Sequence, residues 1–270
     1  MRLTIRHALA LARLLTALTF LLAATGDPAS AASAATPLPA ASSSPAAPVS
    51  PVAGASATAD TAHCVDSSSL DLRRLLAPPP RAGSPRNRAE LDELLRIQAL
   101  RTPSEAALAR LDAARSIFRF ADAIGDAPGF ERERLPRTLD LFRHINVDET
   151  AVLTPAKRDF ARPRPFAVEP RLAPIIARPM SESYPSGHSL WAYTTALVLA
   201  DMLPERRARL LARADQYAHN RTVAGVHYLS DVEAGKLAGT TLAAMLFTCP
   251  AFVREEAEAR KELRGALRLP

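Results

Sequence analysis

Helical spacing of apolar residues is the feature that most constrains how this chain folds. From about residue 63 onward, apolar side chains recur at intervals of three and four, as at Leu91, Leu94 and Leu95. This spacing is typical of amphipathic helices. No stretch of convincing length alternates between polar and apolar residues, and the chain has only ten glycines. We therefore predict an all-α fold class, a single-domain helical bundle.

Breaks and capping residues set the expected helix boundaries. The predicted helices cover 70–77, 88–100, 104–124, 131–145, 148–160, 189–203, 205–222, 226–247 and the chain from 254 onward. The most apolar stretches, 190–203 and 237–247, are shorter than the ~20 residues that a transmembrane helix needs. We expect no stable membrane insertion of the mature protein.

The N-terminus has the order of a secretory signal peptide. Three arginines are followed by the apolar run Leu14–Ala24 and then by small residues at Ala29-Ser30-Ala31. We predict that residues 1–31 form a signal peptide and that the protein is periplasmic or secreted. A retained membrane anchor is the alternative, but the apolar run is short for a span.

Residues 32–62 consist almost entirely of Ala, Ser, Pro and Thr. Such a segment cannot bury enough apolar surface to offset the entropy lost on ordering. We predict that residues 32–62 are a disordered tether and that residues 63–270 form the folded all-α domain.

The net charge indicates which kinds of partner the protein binds, and the cysteine content is interpreted together with the predicted cellular compartment. Removal of residues 1–31 takes three Arg and one Asp from 34 basic and 28 acidic residues, which lowers the net charge from +6 to +4. The basic residues are scattered, so we expect an anionic substrate but no nucleic-acid partner. An oxidising compartment favours a disulfide between Cys64 and Cys249 over two unpaired thiols.

Three short blocks carry residues suited to chemistry on an anion. They are Lys157 with Arg164-Pro165, then Pro185-Ser186-Gly187-His188, and then Arg221 with His227 and Asp231. Each block alone has an ordinary interpretation as a solvated loop, a helix start or a surface pair. Their chemistry is complementary, and together they predict one site.

The first requirement of such a site is to hold an anion. Ser186 and Gly187 precede a predicted helix, where free N–H groups and the positive end of the helix dipole favour negative charge. Lys157, Arg164 and Arg221 supply three cations, and guanidinium groups bind phosphate oxygens in pairs. Phosphoryl transfer needs mainly this positioning and charge stabilisation.

The second requirement is a nucleophile and a proton donor. His227 and Asp231 are four residues apart in the predicted helix 226–247, so both point from one face. A carboxylate that holds one imidazole N–H leaves the other ring nitrogen as a nucleophile. His188 is then available as a general acid for the leaving oxygen.

The three blocks resemble the signature of the phosphatidic acid phosphatase type 2 superfamily: Lys-x6-Arg-Pro, then Pro-Ser-Gly-His, then Ser-Arg-x5-His-x3-Asp. From residue 70 to 247 the chain is similar to the soluble bacterial branch, the class A non-specific acid phosphatases. The resemblance implies the helical fold that this superfamily shares with haloperoxidases. It departs at one position, where Asn220 replaces the family serine.

The resemblance also implies roles for individual residues. Phosphate binding falls to Lys157, Arg164, Ser186, Gly187 and Arg221. Catalysis falls to His227 as the phosphorylated nucleophile, His188 as the acid and Asp231 as the partner that orients His227. No metal ligand and no cofactor are expected, and the remaining histidines (His63, His144 and His219) are interpreted as structural.

The expected function is that of a secreted acid phosphatase, which hydrolyses small phosphate monoesters through a phosphohistidine intermediate without a metal ion. Alternatives with the same pocket are a lipid phosphate or diphosphate phosphatase at a membrane surface and a vanadium haloperoxidase. A non-catalytic phosphate-binding module and a metallohydrolase are alternatives of other classes. The oligomeric state stays open, a homodimer included.

Overall fold

A computed structural model of the chain describes residues 62–125 and 128–270. The predicted signal peptide, residues 1–31, lies outside the described residues. So does the predicted tether, residues 32–62, apart from its last residue.

The described residues form α-helices joined by loops and by three short 3₁₀ turns, and they contain no β-strand. This confirms the predicted all-α fold class. The α-helices are α1 (Leu72–Leu75), α2 (Pro85–Leu100), α3 (Pro103–Leu111), α4 (Ala121–Ile124), α5 (Pro136–Phe160), α6 (Pro165–Val168), α7 (Gly187–Met202), α8 (Arg207–Val223), α9 (Leu229–Leu246) and α10 (Pro250–Ala266).

Local sequence signals start several of these helices. The side chain of Ser84 caps α2 by accepting from the Asn87 amide, and a proline occupies the first helical position. Thr102 and Glu105 form a reciprocal capping box at the start of α3. These caps satisfy amides that have no partner inside the helix.

Two predictions of where helices are divided were wrong. Residues 136–160 form the single helix α5, although we predicted a break near residue 147. Asp148, the first residue of the second predicted helix, is fully buried and accepts hydrogen bonds from the amides of His63 and Cys64. Its carboxylate is therefore satisfied inside a continuous helix.

The predicted helix 104–124 is divided in two. Helix α3 ends at Leu111, and α4 begins only at Ala121 after a loop and a 3₁₀ turn. Asp112, which follows α3, is fully buried and accepts from the guanidinium groups of Arg119 and Arg213. This buried carboxylate holds the loop between α3 and α4 against α8.

Helix α7 lies at the centre of the core, packed along α8 and α9. Two glycines of α9 permit a very close approach. A Cβ at Gly235 would lie 2.4 Å from the Ser186 carbonyl oxygen, and one at Gly239 would lie 2.3 Å from that of Leu190. Because both positions lack a Cβ, the first turn of α7 packs closely against the middle of α9.

The two cysteines are joined, as the sequence favoured. The Cys64–Cys249 disulfide links the segment before α1 to the residue that precedes α10. The closed loop contains most of the described residues, so this bond restricts the unfolded chain strongly.

Within the described part of the chain, no single helix is long and apolar enough to cross a membrane. Only α9 and α10 taken together pass the same test of length and composition, and the two are bent by 93° at their junction.

Candidate active site

The three sequence blocks meet at one cavity of about 180 Å³. It lies where α5 and α8 end and where α7 and α9 begin. Its walls include Lys157, Arg164, Gly187, His188, Arg221 and His227. Two predicted site residues, Ser186 and Asp231, are buried behind this wall and do not line it.

Lys157 lies in the last turn of α5, with its ammonium group directed at the Glu182 and Ser183 carbonyl oxygens. Burial, and then the nearby charge of Arg164, lower the pKa of Lys157 to about 7. A bound anion would oppose both effects. The lysine is therefore placed to take up a proton when an anion enters.

Arg164 reaches the cavity from the loop between α5 and α6. Its guanidinium donates to the carbonyl oxygens of Ser181 and Val226, both at 2.8 Å. One Nη1–H also lies 2.8 Å from Nε2 of His227. Burial lowers the pKa of Arg164 to about 10, so the group is charged in the physiological range.

The second block forms the start of α7. Ser186 caps this helix, accepting from the Ser189 amide, and its own amide donates to the Asp231 carbonyl at 2.9 Å. Gly187 lines the cavity, and a Cβ there would lie 2.8 Å from the Leu153 side chain. The helix start thus faces the cavity at a point where a larger residue would require the Leu153 side chain to move.

His188 occupies the second position of α7, with Nε2–H donating to the Ala113 carbonyl at 3.1 Å. Burial, followed by the charge of Arg221, lowers the pKa of His188 well below its usual range. The ring is therefore neutral in the free protein, and a bound anion would favour its protonated form.

Arg221 ends α8 and is 1% exposed. Its Nε and Nη1 groups have no hydrogen-bond partner among the described residues. Burial lowers its pKa to about 10. An unpaired buried donor costs about 1–3 kcal/mol and a charged one more, so this geometry favours an anion in the cavity.

We expected His227 to lie within the predicted helix 226–247. It lies instead in the bend that precedes α9. Because Gly225 adopts a positive φ of 75°, the chain turns between α8 and α9, and α9 starts only at Leu229. The expected pairing still forms. Nδ1 of His227 lies 3.1 Å from an Asp231 carboxylate oxygen.

This pairing sets the tautomer of His227. The Asp231 carboxylate can only accept, so Nδ1 carries the proton and Nε2 has a free lone pair toward Arg164. Burial, then the charges of Arg164 and Lys157, lowers the pKa of His227 well below its usual range. A neutral imidazole with an exposed lone pair is the form that can act as a nucleophile.

Sequence reasoning missed the residues that hold Asp231. Arg162 donates to this carboxylate at 2.6 Å and to Glu90 at 2.8 Å, and its guanidinium lies 3.6 Å from the ring centre of Tyr228. The Ser183 hydroxyl donates to the other carboxylate oxygen. The position of Arg162, two residues before Arg164, was the only available signal.

A fourth cation, Arg115, also lines the cavity and was missed. It lies 2.9 Å from Glu149, a fully buried carboxylate on α5. Burial raises the pKa of Glu149 to about 7, against the opposite effect of Arg115. No sequence pattern joins these residues, which come from separate segments.

Asn220, the departure from the family pattern, points away from the cavity. Its side-chain amide donates to the buried Asp112 carboxylate at 2.7 Å. It therefore fixes the last turn of α8, directly before Arg221, to the loop that follows α3.

Comparisons with known proteins identify the family of this chain. The PAP2 superfamily pattern matches residues 149–255. The chain is 31% identical over 199 residues to an acid phosphatase of Zymomonas mobilis, which covers 71% of this chain and 75% of that protein. It is 29% identical over 205 residues to a non-specific acid phosphatase of Salmonella typhimurium, with 72% and 81% coverage.

A solved structure has the same fold. A bacterial vanadium-dependent iodoperoxidase superposes with a TM-score of 0.52 at 18% identity. The match covers 64% of this chain and 52% of that one, and it shows a shared fold alone.

Fold, site and relatives together define a helical enzyme of the phosphatase class. The chain belongs to the PAP2 superfamily. The resemblance on which the sequence analysis relied is thereby confirmed.

Proposed function

We propose that this phosphatase hydrolyses small phosphate monoesters through a phosphohistidine on His227, with no metal ion taking part. The observation that carries the proposal is Arg221, a buried guanidinium whose Nε–H and Nη1–H groups lack partners in the described structure beside the His227 cavity. The names of the relatives, acid phosphatase and non-specific acid phosphatase, support the same reaction.

In the first step, the Nε2 lone pair of His227 attacks phosphorus. Arg164, which donates to Nε2 in the free protein, turns its N–H groups to the phosphoryl oxygens. The phosphorus–oxygen ester bond breaks, and the alcohol oxygen leaves with a proton from His188. Cations at fixed positions stabilise the charge that develops on the phosphoryl oxygens.

His188 must be protonated to act as this acid. In the free protein, burial and Arg221 favour its neutral form. A phosphate dianion in the cavity offsets part of the local positive charge and raises the His188 pKa. The substrate itself therefore promotes the protonation that its leaving group requires, and low pH favours it further.

In the second step, His188 accepts a proton from water, and the water oxygen attacks phosphorus. The bond between phosphorus and Nε2 breaks, which releases phosphate and restores the lone pair of His227. Asp231 keeps the Nδ1 proton in place throughout both steps. It is itself held by Arg162 and Ser183.

Hydrolysis of p-nitrophenyl phosphate with EDTA and with vanadate tests the reaction class. We expect turnover that resists EDTA and that vanadate inhibits, because the cations of the site are side chains. Loss of turnover with EDTA would indicate a metal enzyme. Tight phosphate binding without turnover would indicate a binding module.

Trapping the intermediate tests the nucleophile. Rapid quench with a ³²P-labelled monoester should give acid-labile phosphate on the wild type and none on His227→Asn. His219→Asn is the matched control, because His219 lies on α8 and does not line the cavity. Label that persists on His227→Asn would overturn the role of His227.

The signal-peptide sequence and the Cys64–Cys249 disulfide support a periplasmic or secreted location. N-terminal sequencing of the protein recovered outside the cytoplasm tests it. We expect the mature chain to begin after residue 31. An intact N-terminus on protein found in the cytoplasm would contradict the proposal.

A further inference from the structure

A second cluster of reactive side chains lies outside the phosphatase cavity. It joins His63, before α1, to His144 on α5 and Glu255 on α10. Nε2 of His63 is 3.0 Å from one Glu255 oxygen, and Nδ1 of His144 is 2.8 Å from the other. The two imidazole rings stack with their centres 4.3 Å apart.

The spacing of these atoms is close to that of a metal site. One ligand atom from each of the three residues lies within 4.8 Å of the other two. Bonds of ~2.0–2.1 Å in a tetrahedral zinc site place neighbouring ligand atoms about 3.3 Å apart. For the two nitrogens and one oxygen to reach that distance around one ion, the side chains must rotate and the stacked imidazole rings must tilt apart.

The backbone around the cluster is already fixed. His63 precedes Cys64, whose disulfide partner Cys249 lies at the start of α10, six residues before Glu255. Asp148, one turn after His144 on α5, accepts from the amide of His63 at 2.6 Å. The three ligands are therefore preorganised, and a metal would have little chain to order.

We propose that His63, His144 and Glu255 form a binding site for a divalent transition metal, best matched by zinc, that fastens the segment before α1 to α5 and α10. Two imidazoles and a carboxylate are a known zinc donor set, with a water as the fourth ligand. A cavity of about 390 Å³ beside His144 and Glu255 gives room for that water.

The charged neighbours leave room for the metal. Arg143 donates to Nε2 of His144 at 3.0 Å. When Nδ1 binds a metal, Nε2 keeps the ring proton, so Arg143 must turn away. Its side chain is 62% exposed and already lies 3.5 Å from Asp140, which can receive it. The same cavity is also lined by Arg254, directly before Glu255 on α10, by Glu258 one turn later, and by Arg137 near the start of α5.

This site is separate from the phosphatase reaction. None of its three residues lines the cavity that holds His227. A metal here would stabilise the N-terminal junction of the domain and would leave the proposed hydrolysis unchanged. The inference and the proposed function can therefore fail independently.

Metal binding by the chelator-treated full chain tests the proposal. Titration with zinc sulfate in a calorimeter should show one site per chain. His144→Gln and Glu255→Gln should each weaken it by at least about 10-fold, as loss of a ligand requires. Matched controls are Glu258→Gln, on the next turn of α10, and His219→Gln. These should bind zinc like the wild type.

Two further readouts keep the test decisive if a variant is unstable. Wild-type protein with one equivalent of Co²⁺ should show the visible absorption of a four-coordinate site with nitrogen ligands. Hydrolysis of p-nitrophenyl phosphate should be unchanged at one equivalent of zinc. Binding that is equal in the wild type and in His144→Gln, or zinc that abolishes activity by occupying the phosphatase cavity, would overturn the proposal.

Discussion

Two buried arginines, one bonded to the Asp231 that holds His227 and one in the cavity wall beside His227, have opposite surroundings. Arg162 is paired with two carboxylates, Glu90 and Asp231, and lies over the Tyr228 ring. Arg221 is 1% exposed, and its Nε and Nη1 groups lack partners in the described part of the protein. Their residue type and their burial are the same.

The difference separates a structural cation from one that waits for a ligand. A guanidinium paired with two carboxylates has nothing left for a substrate, so Arg162 orients Asp231 and, through it, His227. An unpaired buried guanidinium raises the free energy of the ligand-free protein. Binding of an anion removes this cost. Part of the binding free energy for an anion therefore comes from the pairing of Arg221.

The largest expected effect follows from removing the guanidinium of Arg162, the paired arginine. Arg162→Met should lower the free energy of unfolding by about 3–5 kcal/mol, because it leaves two buried carboxylates without their cation. Urea denaturation, monitored by circular dichroism, measures this. The exposed Arg207→Met on α8 is the control and should change stability little. Equal stabilities for the two variants would show that Arg162 is not the support of Asp231.

Removing the guanidinium of Arg221, the unpaired arginine, should lower catalytic activity and not stability. Arg221→Met should lower kcat/KM for p-nitrophenyl phosphate by about 10²–10³-fold, the usual effect of deleting one transition-state donor. Without phosphate the variant should be at least as stable as the wild type, because an unsatisfied buried charge has been removed.

Added phosphate should distinguish the wild type from Arg221→Met further. It should raise the melting temperature of the wild type much more than that of Arg221→Met, since a ligand stabilises only the state that binds it. If Arg221→Met were as unstable as Arg162→Met, the two arginines would have the same structural role.

A smaller effect concerns pH and Lys157. Its pKa is about 7 in the free protein and rises when an anion binds. Above about pH 7 binding therefore requires proton uptake, and affinity should fall by up to about 10-fold per pH unit. The inhibition constant of sulfate, which does not itself titrate here, measures this. Lys157→Met should bind more weakly and should lose the slope above pH 7, and an unchanged slope would contradict the assignment.

The smallest effect is expected at Asn220. Asn220→Ser restores the residue of the family pattern but removes the donor to Asp112. We expect a loss of about 1 kcal/mol of unfolding free energy, since Arg119 and Arg213 still donate to that carboxylate. Its kcat/KM should change far less than that of Arg221→Met. A larger loss of activity would place Asn220 in the reaction itself.

The cavity residues that belong to the three blocks could be predicted, because each block is short in sequence. Lys157 and Arg164 are only seven residues apart in the sequence, and Ser186-Gly187-His188 has the capping serine that typically starts a helix. The pairing of His227 with Asp231 was expected for the wrong reason, a shared helix face. It forms instead across the start of α9, because the turn at Gly225 delays that helix.

The supporting residues could not be predicted, because their pairing exists only in three dimensions. Glu90 lies 72 residues before Arg162, and Glu149 lies 34 residues after Arg115. Buried charges of this kind look like ordinary surface charges in a helical sequence. Asp148, next to the break wrongly predicted in α5, is a further buried charge of this kind, since its partners are amides 84 and 85 residues away.

A crystal structure with orthovanadate tests the central claim most directly. Vanadate adopts the geometry of a phosphoryl group in transfer. We predict that vanadium lies within bonding distance of Nε2 of His227, with vanadate oxygens accepting from Arg221 and Lys157 and with His188 on the opposite side. Vanadate bound elsewhere, or held in the cavity with Nε2 still bound to Arg164, would contradict the account.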